Sequence, residues 1–204
     1  MGARPLGPGS GRAAHAGVAR WRRPCEDSGM TNEEFFDVVN ASDVVIGRAS
    51  RRDVHAQGLW HRAVHVLVFD GAGRTFLQKR SMRKDMSPGC WDATCSGHLD
   101  SGEDYDAAAR RELGEEIGLF VAEGTLTRWF RVEACARTGW EFLWVYRLNH
   151  LGPFVLDAHE IERGGWFSIA DVTAWMQEKP VEFTPAFRLI WERVVTDYLG
   201  AGGA

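Results

Sequence analysis

Residues 97–119 read GHLDSGEDYDAAARRELGEEIGL, and the fold turns on how the acidic residues at the end of this stretch are held together. From Asp104 to Ile117 the composition is that of a helix, with Ala107, Ala108 and Ala109 followed by Arg, Glu and Leu. Ser101 or Gly102 is expected to open it, with Glu103 and Asp104 near its positive end, and Gly118 to stop it. A helix advances about 100° per residue, so Glu116 stands about 40° from Glu112, and Glu115 about 60° to the other side. All three carboxylates therefore project onto one face. At roughly 4 Å, two like charges cost on the order of 4 kcal/mol even at an effective dielectric near 20. Leu113 and Ile117 mark a buried side of the same helix, and Gly97, Gly102 and Gly118 bracket it where the backbone must turn or approach closely. Hard oxygen donors on a rigid face suit Mg²⁺ or Mn²⁺, which would relieve the repulsion and grip a diphosphate.

Outward from the helix, AVHVLVFD (63–70) and RTFLQKR (74–80) are strand-like and flank the turn Asp70–Gly73. Upstream, residues 34–58 alternate short apolar runs with polar turns, which predicts a small N-terminal hairpin. A polar, turn-forming connection leads to a short strand near Trp91. TLTRWFRVEA (125–134) and WEFLWVYRL (140–148) predict two further strands, with Arg137–Gly139 in the turn. After GGWF, a helix capped by Ser168 runs toward Pro180, and an amphipathic helix spans Pro185 to Leu199. Strands alternating with three helices predict an α/β fold with a mixed sheet covered by helices.

A chain of 204 residues with 45% hydrophobic and 25% charged residues suits one compact domain. The expected division is a disordered N-terminal extension over residues 1–29, rich in Gly, Ala, Arg and Pro, a domain over 30–200, and a flexible tail over 201–204. No apolar run reaches the roughly 20 residues that span a bilayer. A net charge of -4 argues against sequence-independent nucleic-acid binding. Cys25, Cys90, Cys95 and Cys135 form no CxxC pair, which fits a reduced, cytoplasmic setting.

Gly97, Glu103, Arg111, Glu112, Leu113, Glu115, Glu116, Gly118 and Leu119 match every fixed position of the Nudix box, so the chain resembles the Nudix hydrolases. The resemblance implies an α/β/α sandwich with a mixed central sheet. It implies a pyrophosphohydrolase dependent on Mg²⁺ or Mn²⁺ that acts on a nucleotide-type or related small diphosphate by water attack at phosphorus. Carried over, Glu112, Glu115, Glu116 and the Gly97 carbonyl bind the cations, and Glu112 and Glu116 are the catalytic pair. Glu112 also orients or deprotonates the water, while Arg111 pairs with Glu103 to brace the segment. Arg80, Arg83 and Lys84 would draw in the substrate's phosphates. Some family members recruit a base from a later loop, for which Glu133, Glu141 and Glu160 are candidates. Many members are dimers, so a homodimer is among the expected partners, although no stretch marks its interface.

The run from DVHAQGLWHRAV through QKRSMRK, PGCW and GH is also similar to the type I isopentenyl-diphosphate isomerase branch. His55, His61 and His98 fall near the histidines that bind that enzyme's metal, and Glu141 matches one of its later glutamates. The isomerase carries a catalytic cysteine directly before the GH pair, and here that position is Ser96. Cys95 lies one place earlier, on the opposite face if the segment is a strand. With an intact acidic box, hydrolysis is the expected activity. The alternatives are an isomerase or a non-catalytic sensor.

Overall fold

A computed structural model describes residues 33–201; the expected extension over residues 1–29 lies outside the described residues, as do 202–204 of the expected tail. The described elements are β1 (Phe35–Val39), β2 (Val45–Ser50), α1 (Arg51–Gln57), β3 (His61–Phe69), β4 (Arg74–Arg80), β5 (Trp91–Asp92), β6 (Cys95–His98), α2 (Tyr105–Ile117), β7 (Thr127–Val132), β8 (Glu141–Asn149), β9 (Ile161–Ser168), α3 (Ile169–Glu178) and α4 (Pro185–Ala201). β1 and β2 form a hairpin. The main sheet runs β5-β4-β3-β8-β7, with β6 added to β3 and β9 to β4. β3 and β8 are parallel and the other named pairs antiparallel, so the sheet is mixed.

The layers follow from the two-residue period of β3. Val64, Val66 and Val68 pack beneath Ala108, Ala109, Leu113 and Ile117 of α2. Ala63, Leu67 and Phe69 face the opposite way, onto Val172, Phe187, Ile190 and Trp191 of α3 and α4. Helices on both faces of a mixed sheet give the expected sandwich. Among the described helices, none is long and apolar enough to cross a membrane.

Three local readings are corrected. The predicted N-terminal hairpin ends at Ser50, and Arg51–Gln57 is a helix, started by the Ser50 side chain accepting from the Asp53 N–H and stopped by Gly58 at φ 62°. Only Val54 of it is buried, so it leaves no apolar period to detect. α2 is capped by Asp104, which accepts from the Ala107 N–H at 2.9 Å, rather than by Ser101 or Gly102. Ser101 instead donates to Asp37 at 2.7 Å and ties the hairpin to the loop before α2. GGWF belongs to β9, whose two glycines hide its strand character; Gly164 is there because the Phe76 ring occupies the space of a side chain.

Candidate functional site

α2 lies across β6, and the carboxylates of its inner face meet the strand there. Gly97 has no side chain because the Glu112 carboxyl group fills that place; a Cβ would overlap its carbon and both oxygens. Glu116, 3% exposed, accepts from Gln78 Nε2 at 3.0 Å and from the Ser96 N–H at 3.2 Å. Both donors use Oε2. Glu115 stands at the rim with its side chain 52% exposed. Arg111 braces the group: it meets Glu103 through Nε and Nη2 at 3.0 and 2.9 Å, the His98 carbonyl at 2.9 Å, Glu112 at 2.7 Å and Glu115 at 3.1 Å.

Burial and the neighbouring Glu116 push the Glu112 carboxyl up to about 8. Burial pushes Glu116 up to about 7, against the Ser96 N–H and the charge of Lys84. Both values lie above the ordinary 4.5, so folding favours the protonated forms. Their contribution to stability is full below pH 4.5 and is lost as pH rises through 7–8. In a chelator, the melting temperature is expected to fall by about 5–10 °C between pH 5 and pH 8, with a flatter curve for Glu116→Gln. Calorimetry that finds equal slopes would refute this.

A second cluster gathers on the other face of β6. His55 of α1, His61 of β3 and His98 of β6 bring one ring nitrogen each within 4.8 Å of one another. His61 Nδ1 lies 2.9 Å from the Leu59 carbonyl, so it carries the proton and Nε2 keeps its lone pair. The Nε2 atoms of His55 and His61 are buried without a hydrogen-bond partner. Glu141 Oε1 lies 2.9 Å from His98 Nε2 and 3.5 Å from His61 Nε2. Burial, with His98 and His61 beside it, lowers His55 to about 4. Burial would raise Glu141, yet the two imidazoles hold it well below the carboxylate range. Orphaned imidazole nitrogens around an ionised carboxylate fit a cation. Phe36 of the hairpin covers them, its ring 4.6 Å from His98 and 5.8 Å from His61.

Of the sequence-predicted cations, Lys84 reaches Glu160, and its charge is felt at Glu116. Arg83 lies 3.1 Å from His159 Nδ1, and Arg80 donates to the Met86 carbonyl. Glu133, 71% exposed, sits 3.5 Å from Arg131 and joins neither cluster. Sequence reasoning missed Gln78 and Phe36. Gln78 was detectable as an uncharged polar residue at an inward position of a buried strand. Cys95 is buried against α2, while Ser96 points to the other face.

A family model described as the NUDIX domain matches residues 59–187. An uncharacterized Nudix hydrolase of Yersinia pestis is 38% identical over 156 residues, covering 74% of this chain and 80% of that one. The uncharacterized Nudix hydrolase YfcD of Escherichia coli is 35% identical, covering 78% and 86%. A protein named isopentenyl-diphosphate Delta-isomerase from Burkholderia multivorans is 34% identical, covering 79% and 93%. Among solved structures, one from Deinococcus radiodurans aligns with a TM-score of 0.61 at 26% identity, covering 69% of this chain and 90% of its own.

Proposed function

The chain belongs to the Nudix family and is one of its pyrophosphohydrolases, and we propose that it cleaves the diphosphate linkage of a nucleoside diphosphate derivative or related small diphosphate by water attack at phosphorus. The observation that carries this reading is the burial of Glu112 and Glu116 together against the bare backbone of Gly97. Such a pair is unfavourable alone and is relieved by a hard divalent cation, Mg²⁺ or Mn²⁺. Glu112, Glu115, Glu116 and the Gly97 carbonyl would hold it. When bound, the cation neutralises charge on the transferring phosphoryl group and lowers the pKa of water.

The chain's own residues do the rest. Glu112 orients the attacking water and takes its proton, held in place by Arg111 and Glu103. Gln78 and the Ser96 N–H fix Glu116. Arg80, Arg83 and Lys84 attract the diphosphate; as Lys84 exchanges Glu160 for phosphate, Glu160 is released as an alternative base. The orphaned nitrogens of His55 and His61 support a second cation site, completed by His98 and Glu141, whose imidazoles favour a transition-metal ion over Mg²⁺. Isomerase chemistry is the weaker reading, because Ser96 replaces the cysteine and the Cys95 thiol is buried under α2.

The deciding experiment is phosphate release with Mg²⁺ and Mn²⁺ across nucleoside diphosphates, triphosphates, nucleotide sugars, dinucleoside polyphosphates and isopentenyl diphosphate, with isomerisation of the last followed in parallel. Metal-dependent release from one class supports hydrolysis and names the leaving group; isomerisation without release overturns it. For the histidine site, elemental mass spectrometry of protein purified without chelator is expected to find about one transition-metal ion per chain. His61→Ala should lose it; a variant that retains it refutes that assignment.

A further inference from the structure

α1 is weakly held by packing. It has seven residues, and Val54 is its single buried side chain; helices of that length are marginal without tertiary support. Its placement nevertheless matters to two parts of the molecule. His55 brings an orphaned, buried Nε2 to the histidine cluster. Arg51 lies one turn earlier, on the same side of the helix, and reaches elsewhere. Its Nη1 donates to Glu34 at 2.9 Å, and its Nη2 meets the two oxygens of Asp85 at 3.1 and 3.3 Å. The charge of Arg51 is felt at His55 and His98, so the triad stands close to the cluster. One guanidinium between two carboxylates is net negative and does not oppose a cation at the histidines.

Asp85 sits at the tip of segment 81–90, which joins β4 to β5 and carries Arg83 and Lys84. The neck of the segment is closed by the Arg80 N–H on the Cys90 carbonyl at 2.9 Å and the Gly89 N–H on the Arg80 carbonyl at 3.2 Å. One flank rests on the start of β9, through the Ser81 N–H on the Glu160 carbonyl at 2.8 Å and the Lys84–Glu160 pair. The tip is tied to α1 by Arg51. Asp85 Oδ1, which takes Arg51, also accepts from the Met86 N–H at 2.9 Å. The Met86 carbonyl in turn accepts from Arg80 Nε and Nη2 at 3.2 and 3.1 Å. A chain of polar contacts therefore runs from the helix of His55 to Arg80, with Lys84 beside it. These are the cations to which the hydrolase reading brings the diphosphate.

We propose that the histidine site is regulatory: a cation held there fixes α1, and Arg51 passes that order through Asp85 to the segment that grips the diphosphate. The inference rests on the hydrolase reading and on the cation reading of the histidines. Without the cation, α1 frays readily, and the Arg51–Asp85 pair, with side chains 26% and 58% exposed, is too weak to hold the tip by itself. With the cation, the segment is ordered before the diphosphate arrives. Each ligand then favours the other, and by the same factor.

The test compares the full chain stripped by a chelator with the chain reloaded with Zn²⁺, by hydrogen exchange and by calorimetric titration of methylenediphosphonate in Mg²⁺. Zn²⁺ content is measured after each titration, so that extraction by the ligand is seen. Loading is expected to slow exchange about fivefold or more in residues 51–57 and in 81–90, and to tighten methylenediphosphonate about tenfold. His61→Ala should show none of these effects. Asp85→Asn should keep Zn²⁺ and the slowed exchange of 51–57 but lose the other two; Arg51→Met should do the same. Asp85 is exposed, so its variant folds even if Arg51→Met does not. The charge it removes beside Lys84 acts on stripped and loaded protein alike, and the ratio between them still reports the coupling. If the wild type takes up no Zn²⁺, the cation reading of the histidines falls and this inference with it; if methylenediphosphonate binds neither form, the hydrolase reading falls and takes it too. If both bind but loaded and stripped protein hold methylenediphosphonate equally, or Asp85→Asn keeps the tenfold ratio, the coupling alone is overturned.

Discussion

Glu116→Gln is expected to lower kcat about a thousandfold while the circular dichroism spectrum stays that of the wild type. The neutral amide is nearly isosteric, and its carbonyl oxygen can still accept from Gln78 and the Ser96 N–H, so the packing beneath α2 persists. What disappears is a negative charge aimed at the cation. A thousandfold loss corresponds to about 4 kcal/mol of transition-state stabilisation, within what a correctly held metal ion supplies. The variant also removes a carboxyl that burial disfavours in the charged form, so in a chelator at pH 8 it should melt above the wild type. Activity retained above a few per cent, in protein with a native spectrum, would remove Glu116 from its assigned role.

Gly97→Ala is expected to be almost as damaging, although it adds one uncharged methyl group. The methyl would occupy the space of the Glu112 carboxyl, and the strand cannot yield because β6 is paired to β3 on one side and covered by α2 on the other. Glu112 must swing away, giving up its 2.7 Å contact with Arg111. Mg²⁺ affinity should fall at least tenfold and kcat at least a hundredfold, as for a displaced catalytic group. Isothermal titration with Mg²⁺ and steady-state rates at saturating metal separate the two effects. Unchanged affinity and rate would mean that the carboxyl does not work from the position it occupies against Gly97.

How far the sequence was legible depended on whether a feature was local. α2, its Gly118 stop and the shared face of Glu112, Glu115 and Glu116 follow from a 3.6-residue period within one segment. The pairing of Arg111 with Glu103 was expected only by resemblance, and the geometry has it. β9 and α1 were not legible: adjacent glycines erase strand propensity in the first, and a polar seven-residue helix has no period to read in the second. Gln78 escaped because its role depends on Glu116 arriving from another layer, 38 residues away in sequence. His55, His61 and His98 could be suspected as a set, but their approach to 4.8 Å is made by a helix and two strands whose register no single segment encodes.

One consequence of β6 concerns which parts of this chain can change length. Gly97 and His98 are adjacent, yet on an extended strand they address opposite sides, the first toward Glu112 and the second toward Glu141. The two donor sets therefore stand back to back on a single peptide unit. Inserting or deleting one residue between Thr94 and Gly97 would exchange the sides and dismantle both at once. Variation in length among relatives should accordingly gather in the connections after α2 and β8, and spare the four residues of β6.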